Sequence, residues 1–232
     1  LEKLVIQVYA FTNVDEALAA AKMGVDHIGF VAGDYGLVPG ELNLLEARRL
    51  ADALIGKAAR VALTMATEVD EILRMADTVY PDVIHISTDV EAVGTEAMEA
   101  LRRRLPEEIR LMKAIHIADE SSLQLARRFA PVSDLLLLDT RVEGMPGIGA
   151  TGRAHDWRLS QRIVESVPVP VILAGGLSPE NVAQAIRIVR PWGVDSNTAT
   201  NRPGDPVEKD LERVRAFIEA ARAAARSEGR ES

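Results

Sequence analysis

Cysteine is absent from all 232 residues. Disulfides, thiolate metal sites and thiol nucleophiles are thereby excluded together. With only four histidines left as soft ligands, no zinc or other metal ligand is assigned, although carboxylates leave magnesium open. No uncharged apolar run approaches the ~18 residues that a membrane-spanning helix requires. Residues 1–10 lack a basic segment followed by a cleavage site, so a cytoplasmic protein without a membrane partner is expected. Positive charge is in deficit, with 27 Lys and Arg against 35 Asp and Glu, for a net charge of −8. A surface of that sign repels phosphate backbones, which argues against nucleic acid as a partner.

What is present is a hydrophobic fraction of 47% and a charged fraction of 27%, ordinary for a globular chain. Short apolar segments alternate with amphipathic ones from end to end, the pattern of a parallel sheet covered by helices. Strands are expected at residues 4–8, 27–31, 59–64, 83–86, 111–115, 135–138, 169–173 and 193–195. The first helix, 14–23, can be capped by Thr12 or Asn13 and stopped by Gly24. Residues 32–41 hold Gly33, Gly36, Pro39 and Gly40 and read as a loop, followed by a helix through Ala47, Leu50 and Leu54. The last helix is expected at 210–224. Repeated strand–helix units in a chain of this length predict the α/β class and a single (β/α)8 TIM barrel over residues 1–225, with 226–232 as a disordered tail.

In such a barrel the reactive side chains project from the C-terminal ends of the strands. Those ends carry Tyr9, Val31, Thr64, Ser87, His116, Asp139, Gly175 with Gly176, and Asp195. Gly175 and Gly176 precede Ser178 as a helix cap and Pro179 as the first helical residue. Backbone N–H groups in such a turn can receive a phosphate, and a tight strand-to-helix turn is the plainer use of the same glycines. Asp139 closes the run of leucines 135–138, as an acid or as a loop cap. His85 and His116 lie near two strand ends, where an imidazole has a suitable pKa for a base; a purely structural role is the alternative. Lys113, if it faces the barrel and is desolvated, can form a Schiff base. The connection 140–156 exceeds the ~12–15 residues usual for a structureless loop; it contains Gly152 and Arg153 and is a candidate lid. Arg141, Arg153 and Arg202 offer guanidinium groups for an anion.

Several of these pieces resemble one family. Thr12-Asn13-Val14-Asp15-Glu16-Ala17 resembles the GITN-x-x-x-A start of phosphoribosylanthranilate isomerases, and Leu137-Leu138-Asp139-Thr140 their LLDT. Gly149-Ala150-Thr151-Gly152 with Asp156-Trp157 resembles GGTG…FDW, residues 174–182 resemble AGGL-x-P-x-NV, and Pro203-Gly204 with Lys209-Asp210 resembles PG-x-KD. The order and spacing agree over essentially the whole chain.

The resemblance implies an Amadori rearrangement of an aminoaldose phosphate, with Asp139 as general acid and no cofactor. It also marks departures. The family's base is the Cys of KICG, where this chain has Gln7-Val8-Tyr9-Ala10. A phenol with a pKa near 10 is a donor rather than a base at neutral pH. The Arg after the second strand, an anchor for the anthranilate carboxylate, has no counterpart in residues 33–39. QLHG becomes His85-Ile86-Ser87-Thr88, and the phosphate loop DVSSG becomes Asp195-Ser196-Asn197-Thr198-Ala199, in which the hydroxyls of Ser196 and Thr198 can compensate for a lost glycine.

These residues predict a divergent isomerase or related proton-transfer enzyme on a small phosphorylated sugar-like metabolite, as a monomer or homodimer. Its catalytic candidates are Asp139, Tyr9 and His85; its phosphate and substrate candidates are Gly175, Gly176, Ser196, Asn197, Thr198, Gly152 and Arg153. A non-catalytic phosphate-binding barrel, a lyase using Lys113, and an authentic phosphoribosylanthranilate isomerase with a relocated base are the alternatives.

Overall fold

A computed structural model of the chain describes residues 3–139 and 157–230. Among these residues the strands are β1 (Val5–Val8), β2 (His27–Ala32), β3 (Glu41–Leu42), β4 (Ala59–Thr64), β5 (Val83–Ile86), β6 (Arg110–His116), β7 (Leu135–Asp139), β8 (Val171–Leu173) and β9 (Gly193–Ser196). The helices α1 to α8 are Val14–Met23, Leu44–Ala53, Val69–Val79, Thr95–Arg104, Ser121–Phe129, Trp157–Ser166, Val182–Val189 and Leu211–Ser227. Every ladder is parallel, and β1 pairs with both β9 and β2, which closes eight strands into a barrel. The two-residue β3 is an annex on β2, formed inside the segment expected to be only a loop.

Helices α1, α2 and α8 begin where a side chain accepts from their free backbone N–H groups. Asn13, not Thr12, caps α1 by accepting from the N–H groups of Asp15 and Glu16, and Gly24 ends it at φ 107°. Asn43 and Glu46 form a reciprocal capping box on α2. The helix after Gly175-Gly176 starts at Val182, later than the expected Pro179. The Asn181 amide intervenes, accepting from Ser178 N at 2.9 Å and donating to Gly176 O at 2.9 Å, while Ser178 caps only the preceding turn.

Two layers of core follow from the strand alternation. Leu136 and Leu138 point outward into the helix layer, whereas Leu135 and Leu137 join Val61, Val83, Met112 and Ile172 inside the barrel. The seam is fastened at the N-terminal end. There the Asp26 carboxylate accepts from Lys3 Nζ at 2.8 Å, from Ile6 N at 2.9 Å and from Arg222 Nη2 at 2.6 Å. Arg222 also donates to Leu4 O and Gly24 O, tying α8 to β1. Of the segment expected to be a disordered tail, residues 226–227 continue α8, because Ala224 and Ala225 still pack into the core, and residues 231–232 lie outside the described residues. Just past the helix, Arg230 donates to Pro191 O at 2.6 Å.

Candidate active site at the C-terminal ends of the strands

Tyr9 lies just past β1, and its ring occupies the barrel interior beside β2. A Cβ built on Gly29 would meet ring atoms of Tyr9 at 2.4 Å, so the phenol fits only because residue 29 has no side chain. Its hydroxyl is 2.9 Å from Nδ1 of His85, and the two rings meet edge to face at 5.6 Å between centroids. His85 faces inward because its register partner Met112 does. Burial pushes the Tyr9 phenol well above its ordinary range, and the charge of Asp195 adds to this. Burial likewise lowers His85 to about 3, helped by the Lys113 charge. Tyr9 therefore keeps its proton and His85 stays neutral at physiological pH. The base role foreseen for His85 does not fit an imidazole this weakly basic.

On the other side of β1, Gln7 Nε2 donates to Asp195 Oδ1 at 3.1 Å, and Gln7 Oε1 is 3.1 Å from His27 Nδ1. Burial and the nearby charge of Asp139 raise Asp195 to about 8. Asp139 and Asp195 stand at one level of the barrel: Leu138 aligns with Leu173 and Leu173 with Val194, and each aspartate is the next residue. Both are buried, at 8% and 7% exposure. His116 is the register partner of Asp139 on β6, so the acid and this histidine stand on neighbouring strand ends. Sequence reading placed Asp195 at a strand end but did not pair it with Asp139. Two aspartates at the C-terminal ends of the sixth and eighth of the strands expected from sequence, here β7 and β9, were the available signal.

Of the phosphate candidates, Ser196 to Thr198 follow the turn of Gly175 and Gly176 on the neighbouring strand end, joined to it through Leu177. Gly175 and Gly176 adopt φ 83° and 67°, consecutive left-handed positions that only glycine takes readily. Ser196 does not offer its hydroxyl there, since Oγ donates to Leu177 O at 2.8 Å. Asn197 Oδ1 accepts from Ala10 N at 3.1 Å and from Lys209 Nζ at 3.2 Å, joining the ends of β1 and β9. Thr198 is exposed and opens a short 3-10 turn. Lys209, 1% exposed, also donates to Asn201 Oδ1; burial lowers it to about 7 against the pull of Asp195 and Glu16. Gly152, Arg153, Arg141 and the proposed lid 140–156 lie outside the described residues. Arg202 pairs with Glu208 at 2.7 Å on the surface.

Lys113 faces away from the barrel interior. It alternates with Met112, packs 5.8 Å over Phe129 in the helix layer and donates to Thr88 O. Burial lowers it to about 7, but no substrate in the barrel meets it. The Schiff-base alternative is thereby removed. The loop after β2, in contrast, carries an internal anion. The Glu41 carboxylate accepts four backbone N–H groups, from Tyr35 and Gly36 at 2.6 Å and from Leu37 and Val38 at 2.8 Å. This folds Val38 against the interior cluster and brings Tyr35 Oη within 3.3 Å of Thr64 Oγ1. A surface cavity lined by Arg190, Pro191, Trp192 and Arg230 lies at the opposite face of the barrel, remote from these groups.

A family model described as N-(5'phosphoribosyl)anthranilate (PRA) isomerase matches residues 12–220. The chain belongs to this family. Isomerases from Methanocella arvoryzae and Methanothrix thermoacetophila are 34% and 36% identical, over 94% and 86% of this chain and 97% and 92% of theirs. The crystal structure of the Thermotoga maritima isomerase superposes with a TM-score of 0.76 at 26% identity, covering 95% of this chain and 99% of that one. An isomerase crystallised with reduced 1-(o-carboxyphenylamino)-1-deoxyribulose 5-phosphate gives 0.75 at 25% identity with the same coverage. The (β/α)8 architecture and an isomerase type of enzyme follow from this membership. Among the described residues no helix is long and apolar enough to cross a membrane.

Proposed function

We propose that the protein isomerises a 5-phosphorylated aminoaldose to the aminoketose, with the carboxyl pair Asp139–Asp195 in place of a thiolate base. The observation carrying this reading is the coupling of two buried aspartates at one level of the barrel. Burial, with the Asp139 charge adding to it, keeps a proton on Asp195 at neutral pH, so a protonated carboxyl stands at the same level of the barrel as Asp139. Giving that proton to the ring oxygen opens the sugar and leaves both groups charged. Taking the proton from C2 restores the pair, and tautomerisation of the resulting enol completes the isomer without net proton exchange. The acid role that the resemblance gives to Asp139 thus belongs to the pair. The corner of Gly175, Gly176 and Asn197 would receive the phosphate.

The substrate first to be tried is N-(5'-phosphoribosyl)anthranilate, the compound in the relatives' names. Loss of its fluorescence on mixing with the protein, and growth of a tryptophan auxotroph lacking the isomerase, are the expected results; Asp139→Asn and Asp195→Asn abolish both. Absence of turnover at high enzyme concentration would defeat the proposal for this substrate. The Glu41-filled loop favours a second substrate choice, because it places a carboxylate and no arginine in the segment that anchors the anthranilate group in the resembling family. An amine without a carboxylate then turns over faster than the anthranilate compound, which a side-by-side assay resolves.

A further inference from the structure

His85 combines two features that the proton-transfer scheme leaves unused. It is 3% exposed, and its Nε2, though fully buried, has no hydrogen-bond partner among the described residues. The other ring nitrogen settles the tautomer. If Tyr9 donates to Nδ1, the imidazole proton sits on Nε2 and one polar group is left unpaired. If Nδ1–H donated instead, both the Tyr9 hydroxyl proton and the Nε2 lone pair would be unpaired, and each unpaired buried group is costly. Tyr9 therefore fixes His85 as a neutral imidazole with its Nε2–H free. The ring lies among the inward-facing residues, two positions beyond Val83 and beside Met112.

We propose that His85 is a substrate-contacting donor, whose Nε2–H, oriented by the Tyr9 hydroxyl, binds an oxygen of the open-chain sugar. A neutral imidazole donor of this kind holds the C2 oxygen and stabilises the negative charge that grows on it as the enol gives up its proton to become the ketone, without losing its own. Tyr9 is then a positioning residue. The assignment rests on the isomerase reading above and adds to it the group that faces the sugar oxygen.

The test uses the full chain labelled with 15N-histidine and 15N-glycine, which has only four histidines to assign, and the reduced carboxyphenylaminodeoxyribulose phosphate as probe. Binding is followed independently through the amide signals of Gly175 and Gly176. The expected result is a neutral Nε2–H tautomer in the free protein and a downfield shift of that proton on saturation. His85→Gln, which keeps an acceptor for Tyr9 and a donor for the ligand, retains affinity within about threefold. His85→Leu weakens binding about tenfold or more, the range for a lost buried hydrogen bond. Saturation without any change at His85, as expected if only water meets Nε2, overturns the assignment and leaves the isomerase reading standing. Failure of the probe to bind overturns the assignment, and with it the isomerase reading for the anthranilate compound.

Discussion

The contact between Tyr9 and Gly29 can be tested as a pair. In Gly29→Ala the new Cβ would sit 2.4 Å from two atoms of the Tyr9 ring, so the ring must retreat by about 1 Å to reach ordinary contact. Inside a closed barrel that displacement is resisted, and overpacking of this kind costs about 1–3 kcal/mol. For a domain of this size the loss corresponds to roughly 2–12 °C in melting temperature. Tyr9→Cys removes the ring and is itself costly, about 3–5 kcal/mol for a large buried aromatic. In that background, however, Gly29→Ala meets no ring and gains about 0.5–1 kcal/mol from a stiffer strand backbone. The two substitutions should therefore be coupled by at least about 1.5 kcal/mol, measured as a double-mutant cycle by urea unfolding. The introduced thiol is the only one in the chain, so its rate of modification reports how far the vacated space opens to solvent. Equal costs of Gly29→Ala in both backgrounds, within about 0.5 kcal/mol, would refute the claim that residue 29 is glycine to seat Tyr9.

Further outcomes follow from the same site. Asp195 is raised in the folded state to about 8, so its contribution to stability is fully present below the unfolded value of about 4 and is lost as pH rises through about 8. Asp195→Asn should therefore gain stability relative to the parent protein as pH rises from 4 to 7, the opposite slope from His27 and His85, lowered to about 4 and about 3, being common to both proteins. Glu41→Gln leaves one acceptor oxygen for four N–H groups and should cost about 1.5–3 kcal/mol, read as faster hydrogen exchange at Tyr35 to Val38 with little change elsewhere. Borohydride treatment with ketose phosphates should give no adduct at Lys113; a trapped adduct would show that this side chain can reach the barrel interior.

The strands were legible because runs such as Leu135 to Leu138 are apolar on both faces and end in turn residues. The same property hid the direction of Lys113, since a strand buried on both sides carries no alternation to say which parity faces inward. Asp139 and Gly175-Gly176 were visible as strand-end residues. The state of His85 was not, because it depends on Tyr9, 76 positions away in sequence. Ser196 read as a phosphate ligand by its chemistry, yet its hydroxyl is held by Leu177 O, a partner set only by how β9 meets the glycine turn. Glu41 gave no local signal either, for its four donors come from a backbone path that exists only once the loop has closed.

The Asp26 clasp at the far end of the barrel gives the molecule a weak point with a defined trigger. Burial alone would raise this carboxyl, but the hydrogen bonds from Lys3 and Ile6 and the Arg222 charge hold it below the ordinary carboxylate range. Its stabilisation is thus present above about pH 4 and disappears as pH falls through the folded value. One protonation then releases the start of β1, the turn before β2 and the final helix together. Acid should unzip the cylinder along this line, from the end opposite the glycine corner, so that an acid-opened form loses the first strand and the last helix while the middle strands remain paired.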